Sequence, residues 1–93
     1  MARAEDPAIY SIGAVARMLD LPTSTLRAWE ERYSVITPTR SDGSQRLYSR
    51  VQVEQLRFIK SRMDSGASAA DAHRLLAQDL ARNVTALLVD GTW

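Results

Sequence analysis

Cysteine is absent from this 93-residue chain. Disulfides and thiolate zinc sites are therefore excluded, and a reducing compartment, the cytoplasm, is the expected home. There is one histidine, His73, so the usual nitrogen-ligated zinc site lacks its co-ligands, and a surface or half-buried structural histidine is expected. The four glycines, Gly13, Gly43, Gly66 and Gly91, are scattered, and no phosphate-cradling glycine loop can be built from them. No serine stands in a pattern with an activating base, and no acid–base pair is spaced for catalysis, so an enzyme is not expected. No apolar run approaches the length needed to cross a bilayer, and the opening MARAEDPA lacks the apolar stretch of a secretory signal. Lysine is nearly missing too: Lys60 stands alone against eleven arginines.

The net charge of +1 conceals an asymmetry. Between Thr23 and Arg62 eight basic residues face four acids, a local balance of +4, while the rest of the chain carries −3. A basic middle with acidic flanks suggests a polyanion-binding surface, and a well-solvated exterior is the plainer alternative. At this length one small domain is expected, and an apolar fraction of 45% is ordinary for a globular chain.

Residues 1–9 show little pattern and read as a flexible leader. Ser11 is a candidate N-cap, followed by Ile12, Val15, Ala16 and Leu19 at i, i+3, i+4 and i+7, which predicts a helix over 11–19. Pro22 ends that segment and suits the start of another, TSTLRAWEERY, over 23–33. Two helices joined by so short a turn make a helix-turn-helix candidate. Asp42-Gly43 between short extended runs reads as a hairpin, with strands near 37–40 and 45–48. Ser49 with Gln52 forms a capping box for a third helix that Gly66 terminates. Ser68 caps a fourth, over 69–80, with Ala72, Leu75, Leu76 and Leu80 as its stripe. Residues 82–93 fit a continuation of that helix, a new helix from Asn83, or a short strand. Phe58 lies off the main stripe of the third helix, where packing or a domain or dimer contact would both suit it. The fold class that follows is mostly α, a winged helix-turn-helix of about four helices with a two-stranded β-hairpin wing.

On a helical wheel of the second helix, Thr23, Ser24, Glu30 and Glu31 fall within about 60° of Arg27. Trp29 and Tyr33 fall on the far side, towards the core, with Leu26 on the flank. Thr23 and Ser24 sit where free backbone N–H groups attract phosphate. Arg27, one turn on, can fork onto a phosphate or a guanine edge. Glu30 and Glu31 could hold Arg27 through i+3 and i+4 pairs or meet a cytosine amino group. An ordinary solvated face with Arg–Glu pairs is the competing reading. Arg40 and Arg46 flank the hairpin turn, and Tyr48 and Arg50 follow, a layout suited to clamping a nucleic-acid backbone.

The ordered pieces Tyr10-Ser11-Ile12-Gly13, Leu26-Arg27-Ala28-Trp29-Glu30, Tyr33 and Arg46-Leu47-Tyr48-Ser49 resemble the MerR family of bacterial transcription regulators over residues 10–78. The resemblance implies a DNA-binding domain over 10–78, with 79–93 a tail or the start of a linker. It implies that the second helix enters the major groove of double-stranded DNA. Arg27, Thr23 and Ser24 would then contact DNA, Arg46 would reach the backbone, and Tyr48 would buttress the wing or touch phosphate. It further implies a homodimer on an inverted repeat that distorts promoter DNA and so acts on RNA polymerase indirectly. The RAWEERY segment is most similar to members with a larger C-terminal sensor, among them cobalamin-binding photoreceptors. No cofactor is expected in this chain, and an effector would need a separate sensor domain.

The chain departs from the family pattern in three places. Asp-Gly-Ser-Gln precedes Arg46, so that Gln45 stands in place of an aromatic or histidine. Pro22 stands where a serine cap is common. Residues 79–93 are too short for a long dimerising coiled coil, so an isolated domain, or one that dimerises only on DNA, is expected. Two further readings stay open: an excisionase-like architectural DNA-bending protein, and a protein-interaction module docking on RNA polymerase.

Overall fold

The computed structural model describes residues 6–90, with the backbone alone described over 83–90. The order is β1 (Ala8–Ser11), α1 (Ile12–Leu19), α2 (Thr23–Tyr33), β2 (Thr39–Arg40), β3 (Arg46–Ser49), α3 (Arg50–Asp64) and α4 (Ala69–Asp90). Four helices and a small sheet are the winged helix-turn-helix expected.

Local chemistry explains most of the boundaries. The Ser11 hydroxyl accepts the Ala14 N–H at 3.2 Å and starts α1. Asp20, in the left-handed region at φ 57°, ends it, and its N–H returns to the carbonyls of Ala16 and Arg17. Pro22 occupies the N-cap of α2 without a side-chain cap, leaving the first-turn N–H groups free of one. The capping box of α3 is complete: Ser49 Oγ accepts from Gln52 N, and Gln52 Oε1 accepts from Ser49 N. Gly66, at φ 111°, carries the turn out of α3, a conformation open to glycine and strained for side-chain-bearing residues. Ser68 Oγ then accepts the Asp71 N–H at 3.1 Å and starts α4.

The sheet differs from the expected two-stranded wing. It has three strands in the order β1-β3-β2, both pairings antiparallel. Ala8 and Ile9, expected in a loose leader, belong to β1, which pairs Tyr10 with Tyr48 and Ser11 with Leu47. Asp6 is fastened as well, its carboxylate accepting the Val51 N–H at 3.2 Å. The remainder of the proposed leader, residues 1–5, lies outside the described residues. β2 is two residues long and starts at Thr39 rather than near 37, and β3 is shifted one residue along from the expected strand. In the hairpin loop the left-handed residue is Ser44, at φ 64°, not Gly43. The loop is closed by Ser44 N to Ser41 O at 2.8 Å and Ser41 N to Gln45 O at 2.9 Å.

α4 continues through the ambiguous stretch to Asp90 as one helix. The side chains of Val84, Leu87 and Leu88 lie outside the described residues. Within the stripe expected for α4, Ala72 and Leu76 are buried and Leu80 packs against the core, but Leu75 is exposed. The core gathers Val15, Ala16 and Leu19 of α1, Leu26 and Trp29 of α2, Ile36, Tyr48, Val53, Leu56 and Ile59, and closes with Ala72 and Leu76. Leu26, expected on the flank, is more deeply buried than Trp29. Among the described residues no helix is long and apolar enough to cross a membrane.

Candidate nucleic-acid interface

The face of α2 that points away from the core carries Ser24, Arg27, Ala28, Glu31 and Arg32, all exposed, with Thr23 half-buried at the helix start. The uncapped first turn leaves N–H groups at the positive end of the helix dipole. Arg27 takes part in no ion pair among the described residues. The expected bracing of Arg27 by Glu30 is therefore not formed, because Glu30 is engaged elsewhere.

Glu30 turns towards the wing. Its Oε1 accepts from Arg46 Nε at 2.5 Å and its Oε2 from Arg40 Nη2 at 3.3 Å. The two arginines are direct partners across the β2–β3 ladder. Like charges directly opposite on a sheet repel, and the carboxylate between them offsets that repulsion. Arg40 is spread further, with Nη1 donating to the Ser44 carbonyl at 3.3 Å. The Glu30 hydrogen bond is the main cause that raises Arg46 above the usual guanidinium value, so its charge is permanent.

Of the seven residues singled out in the sequence, five lie on α2 or are tied to it. Thr23, Ser24 and Arg27 share the outward edge of α2, and Arg40 and Arg46 are tied to that same helix through Glu30. Arg50 is exposed at the first position of α3. Tyr48 is set apart: it is 1% exposed, in the middle strand of the sheet. Burial first, then the Glu30 charge, push its hydroxyl above the ordinary phenol value. Of its two suggested roles, buttressing the wing fits this placement, and a phosphate contact has no exposed surface to act through.

Behind α2 lies a contact that the helical wheel did not offer. His73 of α4 is 2% exposed, deeper than the surface or half-buried position expected for it. Its ring stacks on Tyr33 with centroids 4.3 Å apart and meets Trp29 edge-on at 5.1 Å. Nδ1 lies 2.8 Å from the Ala69 carbonyl oxygen. Burial holds the imidazole below its ordinary value. Trp29, expected to face the core, thus meets α4 through this ring. Among the described residues no group of three potential ligands could hold a metal ion.

Comparisons with known proteins bear on the fold and the family. A family model described as MerR HTH family regulatory protein matches residues 10–79. The HTH-type transcriptional regulator MlrA of Salmonella typhimurium is 39% identical over 72 residues, covering 77% of this chain and 30% of that protein. The HTH-type transcriptional repressor CarH of Myxococcus xanthus is 35% identical over 69 residues, covering 74% of this chain and 23% of its own length. The chain therefore spans less than a third of these relatives. The crystal structure of a MerR-family transcriptional regulator from Bacillus cereus superposes with a TM-score of 0.66 at 19% identity, over 89% of this chain and 69% of that one, a likeness of fold.

Proposed function

Since the chain belongs to the MerR family of helix-turn-helix regulatory proteins, we propose that it binds double-stranded DNA by laying α2 in the major groove while the wing grips the flanking backbone. Its curated relatives are transcription regulators, not enzymes, which is the class assigned here. The observation that carries the reading is Arg27, exposed and in no ion pair among the described residues, on the same helix that Glu30 ties to the two wing arginines. Arg27 reaches base edges or phosphate, the first-turn N–H groups and hydroxyls of Thr23 and Ser24 meet the backbone, and Arg40, Arg46 and Arg50 neutralise phosphates along the flank. Two copies on an inverted repeat would present two copies of α2 to successive major-groove faces and distort the promoter between them. RNA polymerase then responds to the altered DNA, in the cytoplasm, and any effector acts through a separate domain.

The test is selection of bound duplexes from a randomised pool, followed by affinity measurements on the enriched sequence. An enriched inverted repeat supports the dimeric regulator. Retention without a symmetric motif favours an architectural DNA-bending protein, and no retention at low salt overturns DNA binding by this chain. On the enriched duplex, Arg27→Ala is expected to cost about 1–3 kcal/mol of affinity, a loss of roughly five- to 150-fold, with the helical content intact. Equal binding by Arg27→Ala would remove α2 from the interface.

A further inference from the structure

A carboxylate on a surface that meets phosphate normally weakens binding by repulsion. Glu30 stands on that surface, on the helix assigned to the groove, yet its environment argues for the opposite sign. Its side chain is only 14% exposed, and each oxygen is taken by a different wing arginine. Arg46 spends only its Nε on Glu30, which leaves the two terminal nitrogens of the guanidinium, with four N–H donors, uncommitted to that carboxylate. A guanidinium anchored by one edge presents the other in a fixed direction, and ordering it beforehand removes a cost otherwise met on binding. Without the carboxylate, Arg40 and Arg46, paired directly across β2 and β3, would repel one another and splay.

We propose that Glu30 is a positioning residue for DNA binding: it bolts the wing to α2 and aims the free edge of Arg46 at the backbone, so that this acid strengthens the complex. The inference rests on the reading of α2 and the wing as the DNA-binding surface. It also ties the two halves of that surface into one rigid unit, since Glu30 is on the helix and both arginines are on the strands.

The experiment measures affinity for the most enriched duplex from the selection above, and for a scrambled duplex of the same composition, with Glu30→Gln, Arg46→Ala and the double variant. Thermal melts of each protein run alongside. Positioning predicts that Glu30→Gln, which keeps the side-chain shape and removes the charge, binds about tenfold more weakly. It also predicts that adding Glu30→Gln to Arg46→Ala costs markedly less than Glu30→Gln costs in the wild type, an interaction that a separate loss of stability would not produce. Glu30→Gln binding as tightly as wild type, or more tightly with a steeper salt dependence, overturns the proposal, because the acid would then only repel phosphate and sequester two cations. Equal losses from Glu30→Gln with and without Arg46 overturn it as well. If Arg46→Ala binds like wild type, the wing reading itself fails, a result separate from any behaviour of Glu30.

Discussion

At the scale of single residues, His73 and Glu30 perform the same task by different physics. Glu30 joins α2 to the wing with charge, and His73 joins α2 to α4 with a stacked neutral ring. The neutral state has a consequence for pH. Burial keeps the folded imidazole below its ordinary value near 6.5, so the unfolded chain binds a proton first as the solution is acidified. Stability from this group is complete above that value and falls as pH drops through it towards the folded value. A melting temperature that declines between about pH 7 and pH 5 is expected, and His73→Phe, which keeps a stacking ring and cannot titrate, should flatten that part of the decline. An unchanged slope in His73→Phe would assign the acid sensitivity to carboxylates instead.

At the scale of elements, the junction between wing and α3 is the place where local chemistry does most to hold the fold. Ser49 ends β3 and caps α3, while Gln52 completes the box and donates Nε2 to the Thr37 carbonyl at 2.8 Å. Ser49→Ala is expected to lower unfolding free energy by about 1 kcal/mol in urea denaturation, with the slope unchanged. Gln52→Ala, which loses both the return hydrogen bond and the tie to Thr37, should cost at least as much. These same features made α1 and α3 legible in the sequence, because caps and apolar periodicity act within one turn. The wheel likewise placed Arg27 outside and Trp29 inside, since helix geometry alone decides that. β1 was not legible: Ala8 to Ser11 is short, lacks alternation, and exists only because β3, nearly forty positions on, offers an edge. The partners of Glu30 lie ten and sixteen residues away and could not be read from i+3 and i+4 rules. The one hint was the pair of acids beside Arg27, for which helix spacing offered only Arg27 as a protein partner.

At the scale of the molecule, the proposed interface draws on four arginines, Arg27, Arg40, Arg46 and Arg50, although the net charge is only +1. If all four neutralise phosphates, the logarithm of the association constant should fall with the logarithm of salt concentration at a slope of about −3 to −4 per protomer. Each Arg→Ala change at a phosphate contact should shallow it by about 1. A slope near zero would mean that the cations lie off the DNA. The sheet that carries the wing has a further consequence, for behaviour in concentrated solution. Its middle strand, β3, is paired on both sides, so among the described residues the unpaired edges belong to β1 and β2. One of these is two residues long and bears Arg40, and the other slips register between Ala8 and Tyr10. Short, charged or kinked edges are poor templates for another strand, so the wing carries its own protection against sheet-to-sheet aggregation.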